Sequence, residues 1–409
     1  MKKTIFIGVL MGIFVSCQSS DHKKADAAVS PPTLESVVEL SKDDIILGAE
    51  RVADYINVFQ GKRVAMVVNQ TSTIEQTHLV DSFQSIGVNI IKVFAPEHGF
   101  RGNHSAGAII SNGVDTKTGL SVVSLYGKNK KPTAGMLADV DIVVFDIQDV
   151  GVRFYTYIST MHYVMEACAE LGKQVVILDR PNPNGFYIDG PVLEKEYSSF
   201  IGMHPIPIVH GLTVAELALM INGEKWLKNE VVCDLKIIAC QNYAHDLRYE
   251  LPIKPSPNLP NMNSIYLYPY LGLFEGTNVS IGRGTPTPFQ IVGRPGVQGD
   301  MTFTPKSIPG VSDHPKYENK VCGGYEVNDV ADSTFFVNGG LNLKWLKMFY
   351  ENNTESDGEF FKSFIYKLCG TKLLKQQIEQ GLSEKEIRQS WQADLDNYKE
   401  IRKKYLLYP

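Results

Sequence analysis

Apolar positions between residues 43 and 182 switch repeatedly between the spacing of a helix and the unbroken run of a buried strand. Ile46, Leu47, Val52, Ile56 and Val58 fit one face of an amphipathic helix over 43–58. Residues 62–68 then form a strand-like run that ends in Asn69-Gln70-Thr71, and helical spacing returns at Leu79, Val80, Phe83 and Ile86. The next strand, 88–94, closes on Pro96-Glu97-His98-Gly99. A polar, glycine-rich segment from Gly99 to Lys131 holds a short strand candidate at 122–125. Residues 140–145 are almost continuous in β-formers, as expected of a strand covered on both faces, and end in Asp146-Ile147-Gln148-Asp149. Ile158, Met161, Met165, Cys168 and Leu171 mark a helix over 156–171, and a strand at 174–178 ends in Asp179-Arg180-Pro181-Asn182.

This alternation predicts an α/β fold with a Rossmann-like parallel sheet. Four predicted strands finish in polar, chemically capable residues, and a parallel sheet carries all its carboxyl ends to one edge, so a functional cleft is expected there. Further along, Thr213-Val-Ala-Glu216 reads as a capping box opening a helix. Prolines crowd 252–260 and suggest an interdomain crossing. The expected plan is a Rossmann-like catalytic domain at 42–258 and a smaller α+β domain at 259–409 that completes the cleft. A second capping box, Ser383 to Glu386, starts one long helix whose stripe of Ile387, Trp391, Leu395, Tyr398, Ile401 and Tyr405 reads as core.

Composition narrows the function classes. The 409 residues carry a net charge of -5, which offers no general attraction to nucleic acid. No Gly-x-Gly-x-x-Gly opens a helix and no Gly-Lys-Ser/Thr cradle occurs, so no nucleotide cofactor is expected. The acids and histidines Glu97, His98, His104, Asp146 and Asp149 match no metalloprotease spacing, so no metal is expected, and the Gly-x-Ser-x-Gly elbow is missing. Lys2-Lys3, an apolar run over 5–15 and Ser16-Cys17 read as a signal peptide over 1–16 whose end resembles a bacterial lipobox. That places a lipid anchor on Cys17, a flexible tether at 17–41 and the protein on the bacterial cell envelope. Ordinary signal cleavage is the alternative. The other five cysteines are scattered, leaving at most a Cys233–Cys240 bridge and favouring buried thiols.

The chemistry-bearing residues suit carbohydrate. Cleaving a glycosidic bond takes a proton donor and a second group at the anomeric carbon, and carboxyl groups at fixed separation commonly supply both. Glu97 is the first candidate, between Pro96 and the apolar ring of Phe100; its alternative is a salt bridge with Arg101. Asp146, Asp149 and Glu275 are candidates for the partner. Tyr155 and Tyr157 offer flat faces and hydroxyls for a sugar, while Arg153 and Arg180 either grip a substrate carboxylate or pair with neighbouring acids.

Four segments in order, Phe94-Ala-Pro-Glu-His-Gly-Phe-Arg-Gly102, Asp146-Ile-Gln-Asp-Val-Gly-Val-Arg-Phe-Tyr-Thr-Tyr157, Leu178-Asp-Arg-Pro-Asn-Pro-Asn-Gly185 and Phe274-Glu-Gly-Thr-Asn-Val-Ser-Ile-Gly-Arg-Gly-Thr285, resemble one family. It is the group labelled DUF1343 and typified by the exo-β-N-acetylmuramidase NamZ, and the resemblance runs from about residue 42 to Pro409. It implies a glycoside hydrolase that removes N-acetylmuramic acid from the non-reducing end of peptidoglycan fragments, with its site in a cleft between the two domains. It also implies a catalytic acidic role for Glu97. The second group stays open among Asp146, Asp149, Glu275 and the substrate's own acetamide. The expected substrate-binding set is Asn69, His98, Arg101, Gln148, Arg153, Tyr155, Tyr157, Arg180, Asn182, Asn278 and Arg283. Capture of a muropeptide or glycan without cleavage, or hydrolysis of another bond in such a ligand, are the alternatives.

Overall fold

The computed structural model describes residues 45–97, 99–101, 113–127, 129–331 and 340–409. His98, His104 and Cys17, with the expected leader and tether, lie outside the described residues.

Every residue of β1 (Val64–Val68) is buried, and alternate side chains enter opposite cores, Ala65 and Val67 one and Val64, Met66 and Val68 the other. Such a strand belongs in the middle of a sheet covered on both sides. After the small hairpin β2 (Thr73–Ile74) and β3 (Thr77–His78) come β4 (Ile90–Ala95), β5 (Gly113–Val114), β6 (Ser121–Ser124), β7 (Ile142–Asp146), β8 (Gln174–Leu178) and β9 (Asp234–Ile238). The main sheet has the order β5-β6-β4-β1-β7-β8-β9, and only the β5–β6 pairing is antiparallel. The parallel strands are thus doubly wound about β1, with the direction of winding reversing between β1 and β7.

One face is covered by Tyr55, Phe59, Leu79 and Phe83. The helices Tyr157–Glu170 and Val214–Gly223 lie on the other, and the latter opens with the expected box, Glu216 N–H to Thr213 Oγ1 and Thr213 N–H to Glu216 Oε2. The same core continues into the C-terminal part, through Tyr270, Phe289, Leu346, Ile387 and Tyr398. That part carries a three-stranded antiparallel sheet, β10 (Ile291–Arg294), β11 (Met301–Phe303) and β12 (Cys322–Glu326) in the order β10-β12-β11, flanked by helices. The chain end returns to the main sheet, where Tyr408 donates its hydroxyl to Asp179 at 2.6 Å.

Two expected elements differ. The segment 43–58 is only one short helix, Val52–Tyr55, between 3-10 turns. Gly48 runs so close to the ends of β8 and β9 that a Cβ would stand 2.3 Å from the Ile238 carbonyl, and Arg51 is tied to the Ala239 carbonyl at 2.8 Å. The final helix breaks at Trp391 (φ -102°, ψ 1°), whose ring enters the core, into Glu384–Ser390 and Gln392–Arg402. The aromatic run after residue 260 is the helix Met262–Leu271. All five described cysteines are free, buried thiols, including Cys233 and Cys240.

Candidate active site

β4 stops at Ala95 because Pro96 has no N–H with which to extend the ladder. The chain then turns, with Gly99 N–H donating to the Pro96 carbonyl at 3.0 Å and Gly99 in the left-handed region (φ 82°). The turn presents Glu97 to a cleft of about 820 Å³. Thr156, at the N-cap of the 14-residue helix Tyr157–Glu170, donates its hydroxyl to Glu97 Oε2 at 3.0 Å. Tyr126, just past β6, also hydrogen-bonds the Glu97 carboxyl; burial first, then that carboxylate's charge, pushes the Tyr126 phenol above its ordinary value. The helix N-terminus adds partial positive charge at this corner of the cleft.

The C-terminal part supplies the opposing acid. Glu275 sits in the 3-10 turn Gly272–Gly276 and lines the same cleft, and Arg283 donates to its Oε1 from Nε (3.0 Å) and Nη2 (2.8 Å). Arg283 also lies over Phe289, 5.0 Å from the ring centroid. Tyr268 lines the same cleft, edge-on to Phe154 and Phe289. Burial chiefly raises its phenol well above the usual range, with the charges of Glu275 and Glu97 adding to it, so Tyr268 feels both acids. Its helix contains Pro269, which cannot bond the Ile265 carbonyl; Asn184 Nδ2 takes that carbonyl at 3.3 Å and the Val150 carbonyl at 2.8 Å. The helix bearing Tyr268 is thereby tied to the loop after β8. Lys130 and Phe200 also line the cleft, Lys130 standing 4.2 Å over the ring of Phe200, which stacks on Tyr163.

Other expected site residues lie elsewhere. The crevice between β1 and β7, where an open α/β sheet usually takes its ligand, is filled by its own side chains. Arg180 grips Asp146 through Nε–Oδ1 (2.5 Å) and Nη2–Oδ2 (2.9 Å), and both residues are buried. Asn69 Oδ1 accepts the Thr71 N–H and hydroxyl, and Gln148 Nε2 donates to the Asp149 and Pro181 carbonyls. Asp149 accepts the Gly151 N–H at 2.7 Å and lies 3.6 Å from His210, with its Oδ1 buried and unpartnered. Asn182 bonds the Leu212 carbonyl and the Asn184 N–H.

Arg153 is completely buried: Nη1 donates to the Pro191 and Ile206 carbonyls and Nη2 to those of Leu368 and Cys369, and burial lowers its guanidinium to about 10. Arg101 does not pair with Glu97 in the described contacts; it forks onto Asp115 at 2.8 and 3.0 Å. Asn278 Nδ2 bonds Asn353 and the Asp357 carbonyl. Tyr155 and Tyr157 line a smaller hollow of about 70 Å³ next to the cleft, with the Tyr155 hydroxyl donated to the Pro255 carbonyl at 2.9 Å. Of the expected residues, then, the structure brings Glu97, Glu275 and Arg283 to the main cleft and Tyr155 and Tyr157 to its annex.

Tyr126, Thr156, Tyr268 and Lys316 line the cleft and were not foreseen. Thr156 had a signal, its place between two strand-end motif tyrosines; Tyr268 was masked by the aromatic run around it. Among the described residues no group of three or more His, Cys, Asp or Glu is placed to hold a metal ion.

Two family descriptions match the chain in succession, "Exo-beta-N-acetylmuramidase NamZ, N-terminal" over residues 64–263 and its C-terminal counterpart over 266–408. The peptidoglycan β-N-acetylmuramidase NamZ of Bacillus subtilis is 36% identical over 433 aligned positions covering 100% of both chains. Two crystal structures of DUF1343 family proteins from Bacteroides fragilis superpose on it, one at TM-score 0.82 and 45% identity, the other at 0.77 and 30%. Each covers 89% of this chain and 99% of its own. With both halves matched in order and a relative aligned along its whole length, the chain belongs to the NamZ exo-β-N-acetylmuramidase family.

Proposed function

We propose that this protein is an exo-acting glycoside hydrolase that releases N-acetylmuramic acid from the non-reducing end of peptidoglycan fragments, with Glu97 as general acid/base. The full-length relationship to a peptidoglycan β-N-acetylmuramidase supports the activity. The observation that carries the residue assignment is the cleft itself, where Glu97 from the parallel sheet and Glu275 from the C-terminal part line one cavity. Glycosidases place acidic groups on two sides of the scissile bond in this way. We assign the second role, at the anomeric carbon, to Glu275, which lines the cleft, because Asp146 is locked against Arg180 and Asp149 is buried and accepts the Gly151 N–H. The substrate acetamide remains the other source of that role. Thr156 and Tyr126 orient the Glu97 carboxyl, and Tyr268 and Phe154 offer apolar faces to the sugar ring.

The basic leader and Ser16-Cys17 support reading the protein as a lipoprotein held on the cell envelope through Cys17. The two family descriptions meet between residues 263 and 266, which supports a division into domains close to 258.

The test is incubation with peptidoglycan fragments bearing N-acetylmuramic acid at the non-reducing end, followed by product analysis. Free N-acetylmuramic acid is the expected product. Recovery of intact fragments after demonstrable binding would make the protein a capture protein, and release of a peptide or acyl group would make it a hydrolase of another bond.

A further inference from the structure

Lys316 reaches from the Pro315 side of the cleft into the turn that bears Glu275. Its Nζ donates to the carbonyls of Thr277 (2.5 Å), Val279 (3.0 Å) and Phe274 (3.4 Å). An ammonium has three hydrogens to donate, and here all three go to one short stretch of backbone, one bond before Glu275 and two after it. The neighbouring Tyr317 hydroxyl takes the Asn278 carbonyl in the same stretch. Segment 316–317 thus donates to four carbonyls of this loop, of which that of Phe274 also accepts the Thr277 N–H (3.0 Å) and hydroxyl (2.9 Å).

We propose that Lys316 is a positioning residue: its ammonium bridges the backbone on both sides of Glu275 and so fixes the Glu275–Arg283 pair at the cleft, and only the protonated form has the three donors that hold all three carbonyls at once. The inference rests on the reading of Glu275 as the second group of the reaction. Burial is the strongest influence on this ammonium and lowers it to about 8, with Lys362 and Arg283 acting in the same direction and Glu275 opposing them. The arm carrying Glu275 therefore loosens at mildly alkaline pH, through Lys316.

The experiment compares wild type, Lys316→Met and Glu275→Gln for chromophore release from a para-nitrophenyl N-acetylmuraminide across pH 6–10, alongside amide hydrogen exchange of residues 272–279. Loss of positioning in a pre-organised site predicts a kcat about tenfold lower or more for Lys316→Met, with KM within about twofold. The wild-type profile falls on its alkaline side near pH 8, and the Met variant lacks that limb. Exchange rises in 272–279 and not elsewhere. Wild-type kcat in Lys316→Met, an unchanged alkaline limb, or unchanged exchange in 272–279 would each overturn the proposal. Wild-type rates in Glu275→Gln would instead remove Glu275 from the reaction, and the exchange measurement decides the role of Lys316 in either case.

Discussion

Thr156 occupies the N-cap of the Tyr157–Glu170 helix yet gives its hydroxyl to Glu97 Oε2 and makes no side-chain bond to its own helix. A threonine at this position ordinarily caps a backbone N–H. Here a capping opportunity is given up to orient an acid at the mouth of a cleft. Thr156→Val should lower kcat by about 10- to 100-fold, the value of a hydrogen bond to a charged group at about 1.5–3 kcal/mol, with little change in Tm. Thr156→Ser should restore most of the rate. Steady-state kinetics beside thermal unfolding checks this; a large Tm loss with unchanged kcat would make the hydroxyl structural.

Asp146 and Arg180 behave oppositely. Their bidentate pair is buried at the switch point of the sheet, and removing one partner leaves an uncompensated charge. Arg180→Met should destabilise by about 3–5 kcal/mol, read as a lower denaturant midpoint, while the fraction that stays folded keeps its turnover. Normal stability with abolished turnover would return Arg180 to the site.

Asp179 gives a pH signature. Burial raises its carboxyl to about 7, above an ordinary value of 3.8, against the hydrogen bonds from Tyr408 and Ala215. Between those two values the native state holds a proton that the unfolded chain has lost. This contribution to stability is therefore complete below about pH 4, declines as pH rises and is gone above about pH 7, a change on the order of 4 kcal/mol. Asp179→Asn should flatten the slope relative to wild type over that window in denaturant titrations. Parallel slopes for the two proteins would show that Asp179 is ionised throughout.

The sheet was readable because its strands are clean apolar runs: residues 174–178 were expected and found as β8, and Glu97 was expected at the end of β4. Polar strand ends are not equivalent. β1, β7 and β8 end in side chains that bond to one another, as Arg180 does to Asp146, and hydrogen-bonding partners far apart in sequence leave no local pattern. Arg153 failed as a substrate clamp for the same reason, since two of its four carbonyl partners, Leu368 and Cys369, lie more than 200 residues away, with separations of 215 and 216. Glu275 and Arg283 were visible as a motif, but their seat across the cleft depends on how the C-terminal part folds back, which no spacing encodes. Lys316 carries no sequence signal, because its role consists entirely of backbone carbonyls.

The central claim is that Glu97 carries acid/base chemistry on a muraminide. The direct measurement is the rate of N-acetylmuramic acid release from a peptidoglycan disaccharide, whose sugar leaving group must be protonated, by wild type and by Glu97→Gln, which keeps the shape of the side chain and removes its ability to exchange a proton. Removal of a general acid/base predicts a fall of about 10²–10⁴-fold in kcat with the fold intact by circular dichroism. Equal rates for the two proteins would contradict the account.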